Sequence, residues 1–275
     1  MKMNSTKLTK TNLFPKKSLG QNFLVDRNVI GKIIKAADLK KTDNVLEVGP
    51  GRGAITYELV ERVKKVLAVE KDRALAEQLG ENEKCKMQNH NQNIKLKIIE
   101  ADILKIDFEE IKKEFNGEPY KIVANLPYNI TSHFLRRFLE ADYRPTEMIL
   151  MVQREVAKRM IERAPNMNML AVAVQFFCKP KILFRVSNNC FKPKPRVESA
   201  VIRLADIDKN KHNVGQDKFF SVVKQGFGSK RKQLKNNLPG IENILDELGF
   251  KPTVRAQELG VEDWVKLVQS LGSKV

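Results

Sequence analysis

From residue 44 onward, short apolar runs alternate along the chain with amphipathic stretches. The run 44–48, Asn-Val-Leu-Glu-Val, predicts a strand that ends in glycines, and 54–63 reads as a helix. Residues 65–70 predict a second strand and 72–79 a second helix with Asp72 as its N-cap. The polar, Asn-rich residues 81–93 predict a loop. Further strands are predicted over 94–100, 120–125 and 146–152, the last holding the run Met148-Ile149-Leu150-Met151, read as buried. Strands separated by helical stretches predict a parallel sheet with helices on both faces. Residues 181–186 and 200–204 predict a closing pair of strands. The polar stretch 206–217, which contains Gly215, suits a linker. Beyond it, helical patterns over 219–227, 230–238, 241–248 and 262–271 predict a small all-helical C-terminal domain.

Composition narrows the class. The chain has 275 residues, 42% apolar and 30% charged, which predicts a soluble globular protein with a core that needs no staples. Its 50 Lys and Arg against 33 Asp and Glu give a net charge of +17. Such an excess argues for a polyanionic partner. Ten basic residues lie between Lys2 and Lys41 against Asp26 and Asp38 alone, which reads either as a solvated arm or as one that touches nucleic acid. No apolar run is long enough for a bilayer, so no membrane role is expected. The first residues carry no apolar signal core, and Cys85, Cys178 and Cys190 are few for so long a chain. A reducing, cytoplasmic setting is the expectation. With His90, His133 and His212 scattered, no metal site is expected.

Two motifs carry chemistry. Glu47-Val48-Gly49-Pro50-Gly51-Arg52-Gly53 takes a strand into a glycine-rich turn, where a ligand can approach the backbone closely. Glu70 ends the next strand, placed to accept both hydroxyls of a ribose, and Asp102 follows the third, placed to hold an adenine amino group. This much does not choose a cofactor, because Gly49, Gly51 and Ala54 also satisfy a permissive dinucleotide spacing. The second motif is Asn125-Leu126-Pro127-Tyr128, after the fourth strand and over the same crevice. An exocyclic aromatic amine is a poor nucleophile, since its lone pair is delocalised into the ring. Two acceptors on its N–H groups draw it toward a tetrahedral shape. The Asn125 side-chain oxygen and the Leu126 carbonyl are candidates, with Pro127 holding Leu126 extended. Tyr128 offers a flat face for the base. Such a site methylates by positioning and electrostatics, with S-adenosylmethionine as the electrophile.

These residues resemble the ribosomal RNA adenine N6,N6-dimethyltransferases of the small subunit, over nearly the whole chain. Lys16-Lys17-Ser18-Leu19-Gly20-Gln21-Asn22-Phe23-Leu24 resembles the family's N-terminal signature. The resemblance implies that Gln21, Asn22 and Leu24 border the cofactor with Glu47, Gly49, Gly51, Glu70 and Asp102, and that Asn125 touches cofactor and target amine. Phe191-Lys192-Pro193-Lys194-Pro195-Arg196-Val197-Glu198-Ser199-Ala200 resembles the family's F-x-P-x-P loop. It implies that Phe191 closes on the base opposite Tyr128, while Lys192, Lys194 and Arg196 suit RNA phosphates. Phe227-Gly228-Ser229-Lys230-Arg231-Lys232-Gln233-Leu234 resembles a basic C-terminal segment of the small-subunit enzymes, implying RNA contacts from Lys230, Arg231 and Lys232. Here Lys230 replaces an Arg of the family pattern, and Pro165 to Val172 lacks a Tyr-Gly pair often seen there.

The resemblance implies a Rossmann-like class I S-adenosylmethionine-dependent methyltransferase with a small all-helical C-terminal domain. The expected organisation is a basic arm over 1–20, the methyltransferase domain over 21–205 and a helical RNA-binding domain over 206–275. The expected function is dimethylation of two adjacent adenosines in the 3′-terminal hairpin of small-subunit (16S) RNA, within an assembling ribosomal subunit. The expected protein acts as a monomer without an obligate protein partner. Alternatives are a large-subunit (23S) adenine methyltransferase conferring antibiotic resistance, a catalytically silent RNA-binding assembly or transcription factor and, more distantly, an NAD-dependent oxidoreductase.

Overall fold

The computed structural model describes residues 15–16, 19–87 (82–87 by backbone alone), 95–208, 211–229 and 231–272. A two-residue strand, β1 (Phe23–Leu24), precedes α1 (Arg27–Ala36), which starts where the Asp26 side chain accepts the Asn28 and Val29 amides. Then follow β2 (Asn44–Val48), α2 (Thr56–Val60), β3 (Lys65–Glu70), α3 (Arg73–Met87), β4 (Leu96–Glu100), α4 (Phe108–Glu114), β5 (Tyr120–Asn125), α5 (Thr131–Glu140) and β6 (Glu147–Gln153). Two helices, α6 (Arg154–Met160) and α7 (Met169–Phe177), lead to β7 (Lys179–Val186), β8 (Phe191–Lys192) and β9 (Ser199–Ala205). The chain closes with α8 (Gln216–Gly226), α9 (Leu234–Asn237), α10 (Glu242–Glu247) and α11 (Val261–Gly272). No described helix is long and apolar enough to cross a membrane.

The main sheet has seven strands in the order β4-β3-β2-β5-β6-β9-β7. β4, β3, β2, β5 and β6 run parallel, and the predicted closing pair joins antiparallel, with β9 between β6 and β7. Both faces are covered. Alternate residues of each strand divide between two apolar clusters: Leu46, Leu67, Ile122, Met148 and Leu150 pack in one. Val45, Val66, Val123, Ile149 and Met151 pack in the other. The first cluster continues without a break into the C-terminal helices. Phe176 of α7 stacks on Phe219 of α8 at 4.2 Å between ring centroids, and Trp264 of α11 is fully buried.

Several predicted boundaries shift, three of them substantially. The polar stretch after residue 80 is not all loop, since α3 continues to Met87; its Glu and Lys residues favour helix without giving it an apolar stripe. The helix expected over 54–63 is regular only over Thr56–Val60, with turns on either side. That expected over 230–238 is reduced to Leu234–Asn237.

Candidate active site

The order of the sheet reverses at β2, whose neighbours are β3 on one side and β5 on the other. A crevice opens at such a switch point, beyond the carboxyl ends of the strands. A cavity of about 650 Å³ lies there, within the usual range for small-ligand sites. Its lining includes Gln21, Asn22, Leu24, Glu47, Gly49, Gly51, Glu70, Asp102 and the tetrapeptide Asn125, Leu126, Pro127 and Tyr128. Register explains this convergence: Val48 pairs with Ala124, so the glycine turn and Asn125 leave adjacent strands at the same level.

The glycine turn is built for close approach. Gly49 has φ +65° with nothing within 4 Å of where a Cβ would stand, leaving its cavity side open. Gly51 has φ +56°, and a Cβ there would stand 3.1 Å from the Phe23 ring. Glu70 clamps the turn: Oε2 accepts the Gly51 amide at 3.0 Å and Oε1 the Asp72 amide at 2.9 Å. Burial pushes the Glu70 carboxyl above its ordinary value, and those two amides oppose the rise. Beneath the turn, Glu47 is 2% exposed, and its Oε2 has no hydrogen-bond partner among the described residues. Burial pushes Glu47 up to about 8, with the nearby Glu70 charge adding to the effect. Asp102 sits on the rim, where its Oδ1 accepts the Leu104 amide at 3.0 Å and its Oδ2 pairs with Lys71 Nζ at 2.9 Å. Burial would raise its carboxyl, but Lys71 and that amide hold it below the usual carboxylate value.

The segment 19–25 forms one wall of the cavity. Asn125 Nδ2 donates to the Asn22 carbonyl at 3.1 Å, which fixes the amide plane and assigns the acceptor role to Oδ1. Gln21 lines the cavity, yet its Nε2 donates to Asp72 Oδ2 at 2.9 Å, and Lys16 Nζ meets Asp72 Oδ1 at 2.8 Å. Asp72 is 4% exposed and also caps α3 through the Ala74 amide. Sequence reasoning saw only the cap. The signal for the second role was its place two residues beyond Glu70, at the same strand end. Arg52 lies over the Phe23 ring at 4.8 Å, and β1 pairs antiparallel with β8, Phe23 with Lys192 and Leu24 with Phe191.

A profile of the family described as ribosomal RNA adenine dimethylase matches residues 13–272. The chain belongs to the ribosomal RNA adenine dimethylase family. It is 41% identical over 261 residues to the Ribosomal RNA small subunit methyltransferase A of Dehalococcoides mccartyi strain CBDB1, covering 92% of this chain and 87% of that one. It is 39% identical over 286 residues to the protein of the same name from Clostridioides difficile strain 630, with 99% and 96% covered. Among solved structures it resembles a dimethyladenosine transferase from Plasmodium falciparum, with TM-score 0.78, 24% identity and coverage of 92% and 98%. It also resembles the 23S rRNA methyltransferase ErmE, with TM-score 0.69, 27% identity and coverage of 91% and 100%. The sheet is therefore that of a class I methyltransferase, and S-adenosylmethionine is the cofactor this dimethylase family uses.

In this dimethylase the residues expected to flank the target base divide. Tyr128 is half-buried at the cavity, and its hydroxyl lies 2.7 Å from Ser199 Oγ. Phe191 does not stand free opposite it. Phe191 is 3% exposed and packs in the apolar cluster with Leu24, Ile30 and Val201, so the expectation that it closes on the base opposite Tyr128 is not met in this structure. The cause is the β1–β8 pairing, which turns Phe191 inward beside Leu24. Lys192, Lys194 and Arg196 are exposed, as are Arg231 and Lys232; Lys230 lies outside the described residues.

Proposed function

We propose that this dimethylase transfers methyl groups from S-adenosylmethionine to N6 of two adjacent adenosines near the 3′ end of small-subunit ribosomal RNA, each adenosine being dimethylated. The observation that carries the reading is the Asn125–Asn22 hydrogen bond, which ties the amine-binding tetrapeptide to the cofactor wall in one cavity. The residues present fit the cofactor. The orphaned Glu47 oxygen leaves a hydrogen-bonding position for a polar ligand group, the open backbone at Gly49 admits close approach, and Glu70 stands where a ribose diol would lie. In this reading Glu70 binds the ribose, Asp102 the adenine amine, and Asn22 and Leu24 border the methionine end. Gln21 acts at one remove, through Asp72.

When bound, the cofactor would supply an electrophilic methyl group on a positively charged sulfur, and each methyl gained by N6 would replace one N–H whose proton passes to solvent. The chain's work is to orient the amine. In the first transfer Asn125 Oδ1 and the Leu126 carbonyl accept its two N–H groups, in the second a single N–H remains for one of them, and Tyr128 holds the ring by stacking in both. The target base has to leave its stack to reach Tyr128, so an unpaired or loop adenosine in an assembling subunit is the substrate and duplex RNA is not. Lys192, Lys194, Arg196, Lys230, Arg231 and Lys232 bind phosphates, and residues 206–275 act as the RNA-binding domain beside a methyltransferase domain over 21–205. We take the protein to work as a cytoplasmic monomer.

Likeness to ErmE favours a second reading, methylation of 23S RNA. The names of the relatives near 40% identity and the basic pair Arg231-Lys232 weigh against it. Asn125→Ala tests the first reading. It should abolish methyl transfer to small subunits while leaving RNA affinity unchanged in a filter-binding assay; near-normal turnover would contradict the assignment.

A further inference from the structure

The Tyr128–Ser199 hydrogen bond joins two elements that the reaction alone does not require to meet. Ser199 is fully buried at the start of β9, paired with Gln153 of β6 on one side and Val186 of β7 on the other. Its neighbour Glu198 is braced as well: its carbonyl accepts the Arg154 amide at 3.0 Å and its carboxylate meets the Arg154 guanidinium at 2.6 Å. Pairing on both flanks thus holds the Ser199 backbone, the base from which Oγ projects toward Tyr128. Tyr128 lies in the turn between β5 and α5, and its half-buried ring can still turn about two side-chain torsions. A hydrogen bond at the far end of the ring removes that freedom.

We propose that Ser199 is a positioning residue for methyl transfer, fixing the plane of the Tyr128 ring against the cavity so that a stacked adenine presents its amine to Asn125. The inference rests on the reading of Tyr128 as the stacking surface. Ser199 also follows the segment 192–198 that carries the exposed Lys192, Lys194 and Arg196, so the RNA-facing segment and the stacking ring share one anchor. None of the residues assigned to the cofactor is bonded to Ser199, so its effect falls on the rate of the loaded complex and not on cofactor affinity. One net hydrogen bond and the misalignment it prevents correspond to a rate change of about two- to tenfold.

The test is a double-mutant cycle on the full chain with Ser199→Ala, Tyr128→Phe and the pair, since Phe keeps the ring and loses the bond. Single-turnover methyl transfer to small ribosomal subunits lacking the modification is measured beside cofactor affinity by calorimetry and thermal stability. Each single variant should slow transfer by about two- to tenfold with cofactor affinity within about twofold, and the pair should be no slower than the slower single. A wild-type rate in Ser199→Ala would overturn the proposal. So would multiplying effects in the pair, or a loss in Ser199→Ala matched by equal losses of cofactor affinity and stability. Tyr128→Ala separates the underlying reading: near-normal transfer there removes stacking itself, whereas a large loss there with a failed cycle removes Ser199 alone.

Discussion

Glu47 sets burial against charge at the floor of the cavity. Its folded-state value, about 8, lies above the ordinary value of 4.5, so the native protein holds a proton that the unfolded chain releases. Its contribution to stability is thus fully present below about pH 4.5 and is lost as pH rises toward about 8. Glu47→Gln mimics the protonated form. The melting temperature of this variant should exceed that of the parent at pH 8 to 9 and match it near pH 5; equal pH profiles would show that Glu47 titrates normally. For Glu70, whose oxygens already hold two backbone amides, Ala should weaken cofactor binding by about tenfold or more, read by calorimetry. Unchanged affinity would remove the ribose assignment. Glu70 was legible in the sequence as a strand-end carboxylate, whereas Glu47 was marked only by the family resemblance of its motif. Asp72 was not legible beyond its cap, because a bond to residues 51 and 56 positions away has no local pattern.

At the scale of elements, the strands were legible because five of them lie buried on two faces and read as apolar runs. The extension of α3 to Met87 escaped because its residues carry propensity without a stripe. Phe191 was misplaced for a related reason. Its neighbours in sequence are Lys and Pro, but its neighbours in space are set by pairing with a strand more than 160 residues away, which sequence spacing does not reveal. That pairing and the Asp72 latch together hold the segment 19–25 as a cavity wall. Asp72→Ala should therefore raise the cofactor dissociation constant by about tenfold and speed tryptic cleavage after Lys16 in the absence of cofactor. Asp72→Asn, which can keep the cap, should lie between the variant and the parent. Cleavage and affinity unchanged in both would show that the wall is held elsewhere.

The whole molecule is a polycation whose cavity at the switch point of the sheet adjoins a core shared with the C-terminal helices. The excess of 17 positive charges is suited to RNA, and the exposed Arg231 and Lys232 stand on the C-terminal helical part. Changing both to Ala should weaken binding to small-subunit RNA and reduce the slope of log affinity against log salt by about one to two. An unchanged slope would place them away from phosphates. That the C-terminal part is helical was legible from its periodicity. Its continuity with the core of the sheet through Phe176 and Phe219 was not, since each aromatic reads locally as the buried face of its own helix. The central claim concerns reaction and substrate together. Labelled S-adenosylmethionine is given to small subunits lacking the modification and, in parallel, to unmodified large-subunit RNA, and the product nucleosides are identified. The account predicts dimethyladenosine from the small subunit alone; label on large-subunit RNA, or on neither while cofactor and RNA still bind, would contradict it.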